Sequence, residues 1–382
     1  MNLSNLRVLV LATRDWYHPR TTGGDITMWE QARYLASAGH SVTYVTASYP
    51  GAAKVETLDG IEVVRLGGIH SLWLRTFFYY ETRCRGRYDV VVTEGFGGSR
   101  IPRFAPLYVK EPIVTEWHQI HRDLFAIQYP KLLGGPLNLL ERITAWVHRN
   151  TLVRAGTEEW RRAFPSIGFR PENVFLLPVS IREDWLAESK QPFVKQPTIL
   201  WLGKFRRYKC PDHAVLAMSE VVRRVPMARL VLAGRHDDRN YERSLTDLAK
   251  RLGIESNVEF RFDLDEAEKR NLLKASRLVA VPSAVEGFGV VVLEANACGV
   301  PVIASSRVPE GAVRDDYNGL RYGFGEIGSL AESMVRLLTD DDLYERLSRN
   351  AHEFAQRFAW QHVGAQFERV VAEAVRGEPA PR

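Results

Sequence analysis

Hydrophobic positions in this chain come in short uninterrupted blocks, and the segments between the blocks follow a helical period. Arg7-Val8-Leu9-Val10-Leu11-Ala12, Ser41–Thr46, Ile61–Leu66, Val90–Thr93 and Ile113–Thr115 each read as a strand with no polar face. Such strands are buried on both sides, so the pattern predicts parallel sheets covered by helices above and below. The first helix is expected over Ile26 to Ala38, stopped by Gly39. The second half repeats the grammar, with strands at Thr198–Leu202, Arg229–Ala233, Val258–Arg261, Leu278–Val281 and Val302–Ala304. Helices are expected between them at Asp212–Arg224, Tyr241–Leu252, Glu266–Ala275 and Val290–Ala297.

At 382 residues the chain is too long for one ordinary core, and two α/β domains of about 180 residues each fit it. The expected boundary lies near residue 180, in Leu177-Pro178-Val179 and the polar stretch from Glu188 to Pro197. The expected division is therefore 1–180, 181–360, and a closing segment 361–382. That segment should be an amphipathic helix packing back on the first domain, followed by a frayed tail.

Hydrophobic residues at 45% and charged residues at 25% exclude a disordered or membrane-embedded body. No apolar run approaches the roughly 18 residues of a spanning helix, and the first apolar run is too short for a signal peptide. Three scattered cysteines, Cys84, Cys210 and Cys298, fit a reducing compartment and match no metal spacing. The expectation is a cytoplasmic protein. The net charge of +5 sits in residues 1–180, which hold 21 Lys+Arg against 16 Asp+Glu, while 181–382 hold 30 of each. A modest excess of this kind suits an acidic ligand or an anionic membrane surface better than nucleic acid.

Candidate chemistry concentrates at strand ends, where open α/β sheets collect ligands. After Leu278–Val281 comes Pro282-Ser283-Ala284-Val285-Glu286-Gly287-Phe288-Gly289, then a helix containing Glu294. Gly287 and Gly289 would let backbone approach a phosphate at the helix start. Glu286 is placed to accept from sugar hydroxyls, and Glu294 to reach a ribose; alternatively Glu286 caps the helix and Glu294 is solvated. After the first strand of the second half, Gly203-Lys204-Phe205-Arg206-Arg207-Tyr208-Lys209 concentrates four cations in six residues. Lys204 and Lys209 are candidates to hold a diphosphate, with Arg206 and Arg207 read as solvated surface. In the first half, Gly23-Gly24 precedes a helix, and His118 stands at a strand end beside Gln119, with His121 close by. Asp263-Leu264-Asp265 has the form of a metal motif, but Asp265 with Glu268 reads better as a helix cap. Neither a dinucleotide fingerprint nor a P-loop is present.

These elements together resemble the retaining nucleotide-sugar glycosyltransferases of the GT4 family, which have the GT-B fold. The resemblance runs through Gly23-Gly24, Gly39-His40-Ser41-Val42, His118, Leu202 to Lys209, Ala233-Gly234, the Glu-X7-Glu pattern of Glu286 and Glu294, Asn318-Gly319-Leu320 and Trp360. It implies two doubly wound Rossmann-like domains facing across a cleft, with the C-terminal helix crossing back to the first. It further implies catalytic roles for His118, Glu286, Lys204 and Lys209. Donor-binding positions would be Gly23, Gly24, Gly203, Lys204, Lys209, Gly234, Phe262, Glu286, Gly287, Phe288, Gly289 and Glu294. Within that set Lys204 and Lys209 resemble the diphosphate cations, Glu286 the residue orienting the donor sugar and Glu294 the ribose ligand. Backbone around Val258 to Phe262 would receive the base, and Gly23 and Gly24 resemble the loop that closes over the substrates. No metal and no cofactor is implied; the donor would be a UDP- or GDP-linked sugar.

The sequence departs from the family pattern at several points. Lys204 stands where arginine is usual, Cys210 where glycine follows the lysine, and Gln119 where aspartate is common. Ser305 to Glu310 is short and lacks a Gly pair. The expected activity is transfer of a glycosyl group to an acceptor hydroxyl of a glycan, glycolipid or small molecule. The alternatives are a nucleotide-sugar epimerase of the same fold and a non-catalytic nucleotide-sugar-binding protein. Residues 71–88 mix aromatics with Arg75, Arg83, Arg85 and Arg87. They can be read as a contact with the anionic inner face of the plasma membrane. The preferred reading packs Trp73, Phe77 and Tyr80 inward.

Overall fold

The computed structural model describes residues 5–96, 102–186 and 196–378. The chain forms two compact units, Met1–Ser180 with Trp360–Arg382, and Ile181–Ala359. Most of the stretch from Glu188 to Pro197, and the tail from 379, lie outside the described residues.

The first unit is built on an eight-stranded sheet. Its elements are β1 (Arg7–Leu11), α1 (Gly23–Ser37), β2 (Ser41–Thr46), β3 (Val55–Leu58), β4 (Ile61–Arg65), α2 (Leu72–Tyr79), β5 (Val90–Glu94), β6 (Ile113–Glu116), α3 (Arg122–Gln128), α4 (Lys131–Val147), β7 (Leu152–Ala155), α5 (Glu158–Ala163) and β8 (Val174–Leu176). The strand order is β3-β4-β2-β1-β5-β6-β7-β8, parallel except for the antiparallel β3–β4 pair. The order reverses between β1 and β5, which makes their carboxyl ends the topological switch point.

Alternation along β1 divides the core. Val8 and Val10 face α1 in one cluster, while Leu9 and Leu11 join Tyr80, Cys84 and Ile113 in another. Right-handed crossovers explain the division, because α1 leads away from β1 in one direction and α2 and α4 lead in the other. On the second face Trp73 is 51% exposed, and Phe78 also points outward, while Thr76 and Tyr80 are buried. The expected inward packing of Trp73 is therefore corrected.

The second unit begins with the short α6 (Glu183–Leu186) and has a six-stranded parallel sheet. It contains β9 (Thr198–Lys204), α7 (Pro211–Arg224), β10 (Arg229–Arg235), α8 (Arg239–Arg251), β11 (Val258–Phe262), α9 (Glu266–Ala275), β12 (Leu278–Val281), α10 (Val290–Ala297), β13 (Val302–Ser305), β14 (Gly319–Tyr322), α11 (Ile327–Thr339) and α12 (Asp341–Gln356). The order β11-β10-β9-β12-β13-β14 reverses between β9 and β12. The helix start at α9 is a reciprocal cap: Glu268 N–H donates to Asp265 at 2.7 Å, and Asp265 N–H donates to Glu268 at 2.9 Å. That use of Asp265 leaves little of the Asp263-Leu264-Asp265 segment for a metal.

The last helix, α13 (Trp360–Arg376), belongs to the first unit. Its Val363, Phe367, Val370, Val371 and Ala374 enter the same cluster as α1 and β1. Each such side chain contributes roughly 1.5–3 kcal/mol of burial when large and fully covered. Trp360 starts the helix by donating its indole N–H to Glu30 O at 3.1 Å, with Arg33 over its ring.

Candidate active site

The switch point of the second unit gathers the chain's densest chemistry. Lys204 ends β9 and pairs in register with Arg235, while Gly203 pairs with Gly234. Gly234 has φ +153°, and a Cβ there would lie 1.6 Å from Gly203 O. Only glycine permits this approach, which brings the loops after β9 and β10 together. Beyond Lys204, Phe205 turns into the core against Trp201 and Phe262, and Arg206 pairs with Asp237 through two bonds of 2.6 and 2.9 Å. Arg207 lies over the Tyr241 ring. Arg206, expected to be solvated, is thus engaged by Asp237 on the β10–α8 side, while Arg207 is exposed as expected.

Lys209 is held by its backbone: Trp201 Nε1 donates to Lys209 O at 3.2 Å, and Ala284 N–H donates to Tyr208 O at 2.8 Å. The second bond ties the loop after β9 to the loop after β12. Across that junction Lys209 Nζ donates to Glu286 Oε2 at 2.5 Å. Burial alone would push the Lys209 ammonium down. The Glu286 carboxylate, with help from Tyr208, outweighs it and holds Lys209 above the ordinary lysine value. The next residue, Cys210, is left-handed at φ 49° and starts α7.

Glu286 and Gly287 precede Gly289, whose φ of 95° breaks the backbone into α10. Phe288 is buried with its ring against Phe358. Its side chain packs in the core beside the turn. Glu294 lies one turn into α10, buried, with Lys269 Nζ at 2.9 Å. Lys269 also meets Glu266 and lies over the Trp185 ring. Phe262, at the end of β11, stacks on His236 with centroids 4.0 Å apart and 15° between planes. His236 is fixed by Glu242 at 2.7 Å. Lys269, Trp185 and His236 escaped the sequence reading. Lys269 had one indirect signal, since a carboxylate buried on an apolar helix requires a cation.

In the first unit the structure brings Gly24 and His118 together. The Gly pair is not a loop before the helix but its first turn, because Thr22 caps α1 and its N–H and hydroxyl both donate to Asp25. A Cβ at Gly24 would lie 2.6 Å from His118 Nε2. That nitrogen is buried and has no hydrogen-bond partner among the described residues. Burial, and then the charges of Arg154 and His121, push the His118 imidazole down to about 3. It stays neutral and can offer one donor and one acceptor, but not a mobile proton at physiological pH. Around it lies a buried polar network in which Glu116 takes Gln31 and Arg154, each at 3.0 Å. His121 takes Glu141 at 2.7 Å. Asp25, facing Arg14 at 3.3 Å, is raised to about 6 by burial and by the nearby Glu94.

The glycosyl transferase 4-like domain family matches residues 22–180, and the glycosyl transferases group 1 family matches 184–354. The chain belongs to the GT4-type glycosyltransferases. Its fold is GT-B: a sucrose-phosphate synthase from Thermosynechococcus elongatus superposes with TM-score 0.82 at 20% identity, over 97% of this chain and 100% of that one. HepE from Anabaena in complex with UDP and glucose gives 0.77 at 18%, over the same shares. Among curated relatives, a D-inositol 3-phosphate glycosyltransferase from Saccharomonospora viridis is 36% identical over 171 residues, 43% of this chain and 39% of that protein. The match therefore spans less than half of that relative's length. A protein of the same name from Kribbella flavida is 26% identical over 89% of this chain and 88% of its own.

Proposed function

We propose that this GT4-type protein is a retaining glycosyltransferase of hexosyltransferase type, moving a sugar from a UDP- or GDP-linked donor to an acceptor hydroxyl without a metal. The observation that carries this reading is the Lys209–Glu286 pair at the β9–β12 switch point, beside Gly287 and the glycine-started helix α10. Lys204 and Lys209 would take the diphosphate, whose negative charge grows as the glycosidic bond breaks. Glu286 would then be released from Lys209 to accept from the donor sugar. Glu294 would hold the ribose, with Lys269 paired to its carboxylate, and Phe262 with His236 would border the base. Gly203 and Gly234 would line the same edge with backbone. His118, neutral and with an unused Nε2, would donate or accept one hydrogen bond at the transferred sugar, with Gly23 and Gly24 beside it. With no enzymic nucleophile assigned, the leaving phosphate would assist deprotonation of the acceptor on the same face.

The test is a thermal-shift screen of nucleotide sugars, followed by mass and anomer analysis of products with candidate acceptors. Free nucleoside diphosphate that appears only with acceptor, unaffected by chelator, supports the reading. An epimerase would convert the donor without acceptor, and a binding protein would shift in melting temperature yet never turn over; either result overturns it.

A further inference from the structure

Helix α4 carries its apolar side toward solvent. Gly134, Glu141, Thr144 and Ala145 are its buried positions, whereas Leu132 is 89% exposed, Leu139 60% and Trp146 56%, with Leu133 and Ile143 also open. At about 100° per residue, Leu132, Pro136, Leu139, Ile143 and Trp146 fall within roughly 40° of one line along the helix. The stripe, from Leu132 to Trp146, is about 21 Å long. Lys131 and Arg142 lie together along one margin of it, and the Arg149 guanidinium sits over the Trp146 ring at 4.4 Å. The only acid between 131 and 150 is Glu141, which is buried and bonded to His121. The outer face of this helix is thus apolar and positive, without a negative group.

We infer that α4 is a docking element for an anionic lipid bilayer. A contiguous exposed apolar stripe of this size marks an interaction surface. Its charge selects the partner: an anionic headgroup layer meets the three cations while the stripe enters the acyl boundary, and Trp146 and Arg149 suit the interface itself. Pairing α4 with a second copy of itself would bring cations against cations with no acid to answer them. Helix α2 exposes Trp73, but in the turn that directly follows it Glu81 pairs with Arg85 at 2.6 Å, so that segment is of mixed charge. The membrane contact read from residues 71–88 is therefore reassigned to α4. This inference does not depend on the reaction proposed above.

The test uses the full chain and extruded vesicles, of phosphatidylcholine alone or mixed with phosphatidylglycerol, separated by sedimentation. Wild-type protein is expected to partition onto the anionic vesicles. Leu139→Gln with Ile143→Gln should lower partitioning at least about ten-fold. Arg142→Gln with Arg149→Gln should lower it roughly ten-fold on anionic vesicles only. Trp73→Gln should change it less than about two-fold, and all variants should stay folded in thermal melts, since the altered side chains are exposed except for the half-buried Arg149. Absence of wild-type binding, equal binding by the stripe variants, or loss of binding through Trp73→Gln alone overturns the assignment. So does a dimer in size-exclusion chromatography that the Leu139→Gln, Ile143→Gln variant converts to monomer, since the stripe would then be a subunit contact.

Discussion

Lys209 and Glu286, 77 residues apart, are joined by a 2.5 Å bond that closes the switch point of the second sheet. Their side chains are 21% and 11% exposed, so removing one partner strands a largely desolvated charge. Lys209→Ala should cost about 3 kcal/mol in urea unfolding. The double variant Lys209→Met, Glu286→Gln should recover stability to within about 1 kcal/mol while turnover stays at least about 100-fold down. Recovery of turnover together with stability would make the pair structural only.

Gly24 is expected to tolerate no side chain. A methyl group 2.6 Å from His118 Nε2 must displace the ring, costing about 1–3 kcal/mol. Gly24→Ala should also lower kcat/KM by roughly ten-fold or more if that ring touches the sugar. Combined with His118→Ala, the stability cost of the added methyl should vanish, and a double-mutant cycle measures it. Strict additivity of the two changes would argue against the contact.

Acid should loosen the first unit through its buried histidines, in a window where the buried Asp25 also takes up its proton. Burial pushes His148 down to about 4 while its Nε2 meets Arg103 O at 2.5 Å, and His118 is lower still. Unfolded histidine takes a proton near pH 6.5 and the folded side chains do not. The stability they supply is therefore complete above that value and is lost as pH falls toward 4. His148 alone accounts for about 2 kcal/mol between neutral pH and about pH 5. Urea midpoints across this window should fall less steeply in His148→Gln, and parallel slopes would refute the assignment.

Cys210 occupies a left-handed position at φ 49°, a conformation that favours glycine. Its thiol is buried and pushed up to about 12 by that burial, so it has no nucleophilic role. Cys210→Gly should be more stable than Cys210→Ala by about 1 kcal/mol, since both lose the sulfur and only alanine keeps the backbone strain. Thermal melts of the two variants decide it.

Much of the fold was legible because parallel strands buried on both faces leave unmistakable apolar blocks: Ser41–Thr46 and Leu278–Val281 were read to the residue, as was the capped helix Glu266–Ala275. Strand β3 was missed because it is a half-exposed edge with no such block. The start of α1 was placed three residues late, since a glycine pair disfavours helix and the Thr22–Asp25 cap that overrides it was not weighed. At the site, positions close in sequence could be grouped, such as Lys204 with Lys209 and Glu286 with Glu294. Pairings across elements could not: Lys269 reaches Glu294 from another helix, and nothing local in either segment announces it. The orientation of α2 was equally hidden, because aromatics on both sides of a short helix leave its facing to tertiary packing.

Helix α13 gives the chain a schedule. Strands β1 to β8 leave the ribosome before the second unit, whereas Val363, Phe367, Val370, Val371 and Ala374, which cover α1 and the even-numbered side of β1, are made only after it. All of Ile181–Ala359 is synthesised in between, a delay of roughly 10 to 40 s at about 5–20 residues per second. During that interval the nascent first unit presents an uncovered apolar groove, which closes only once α13 has emerged.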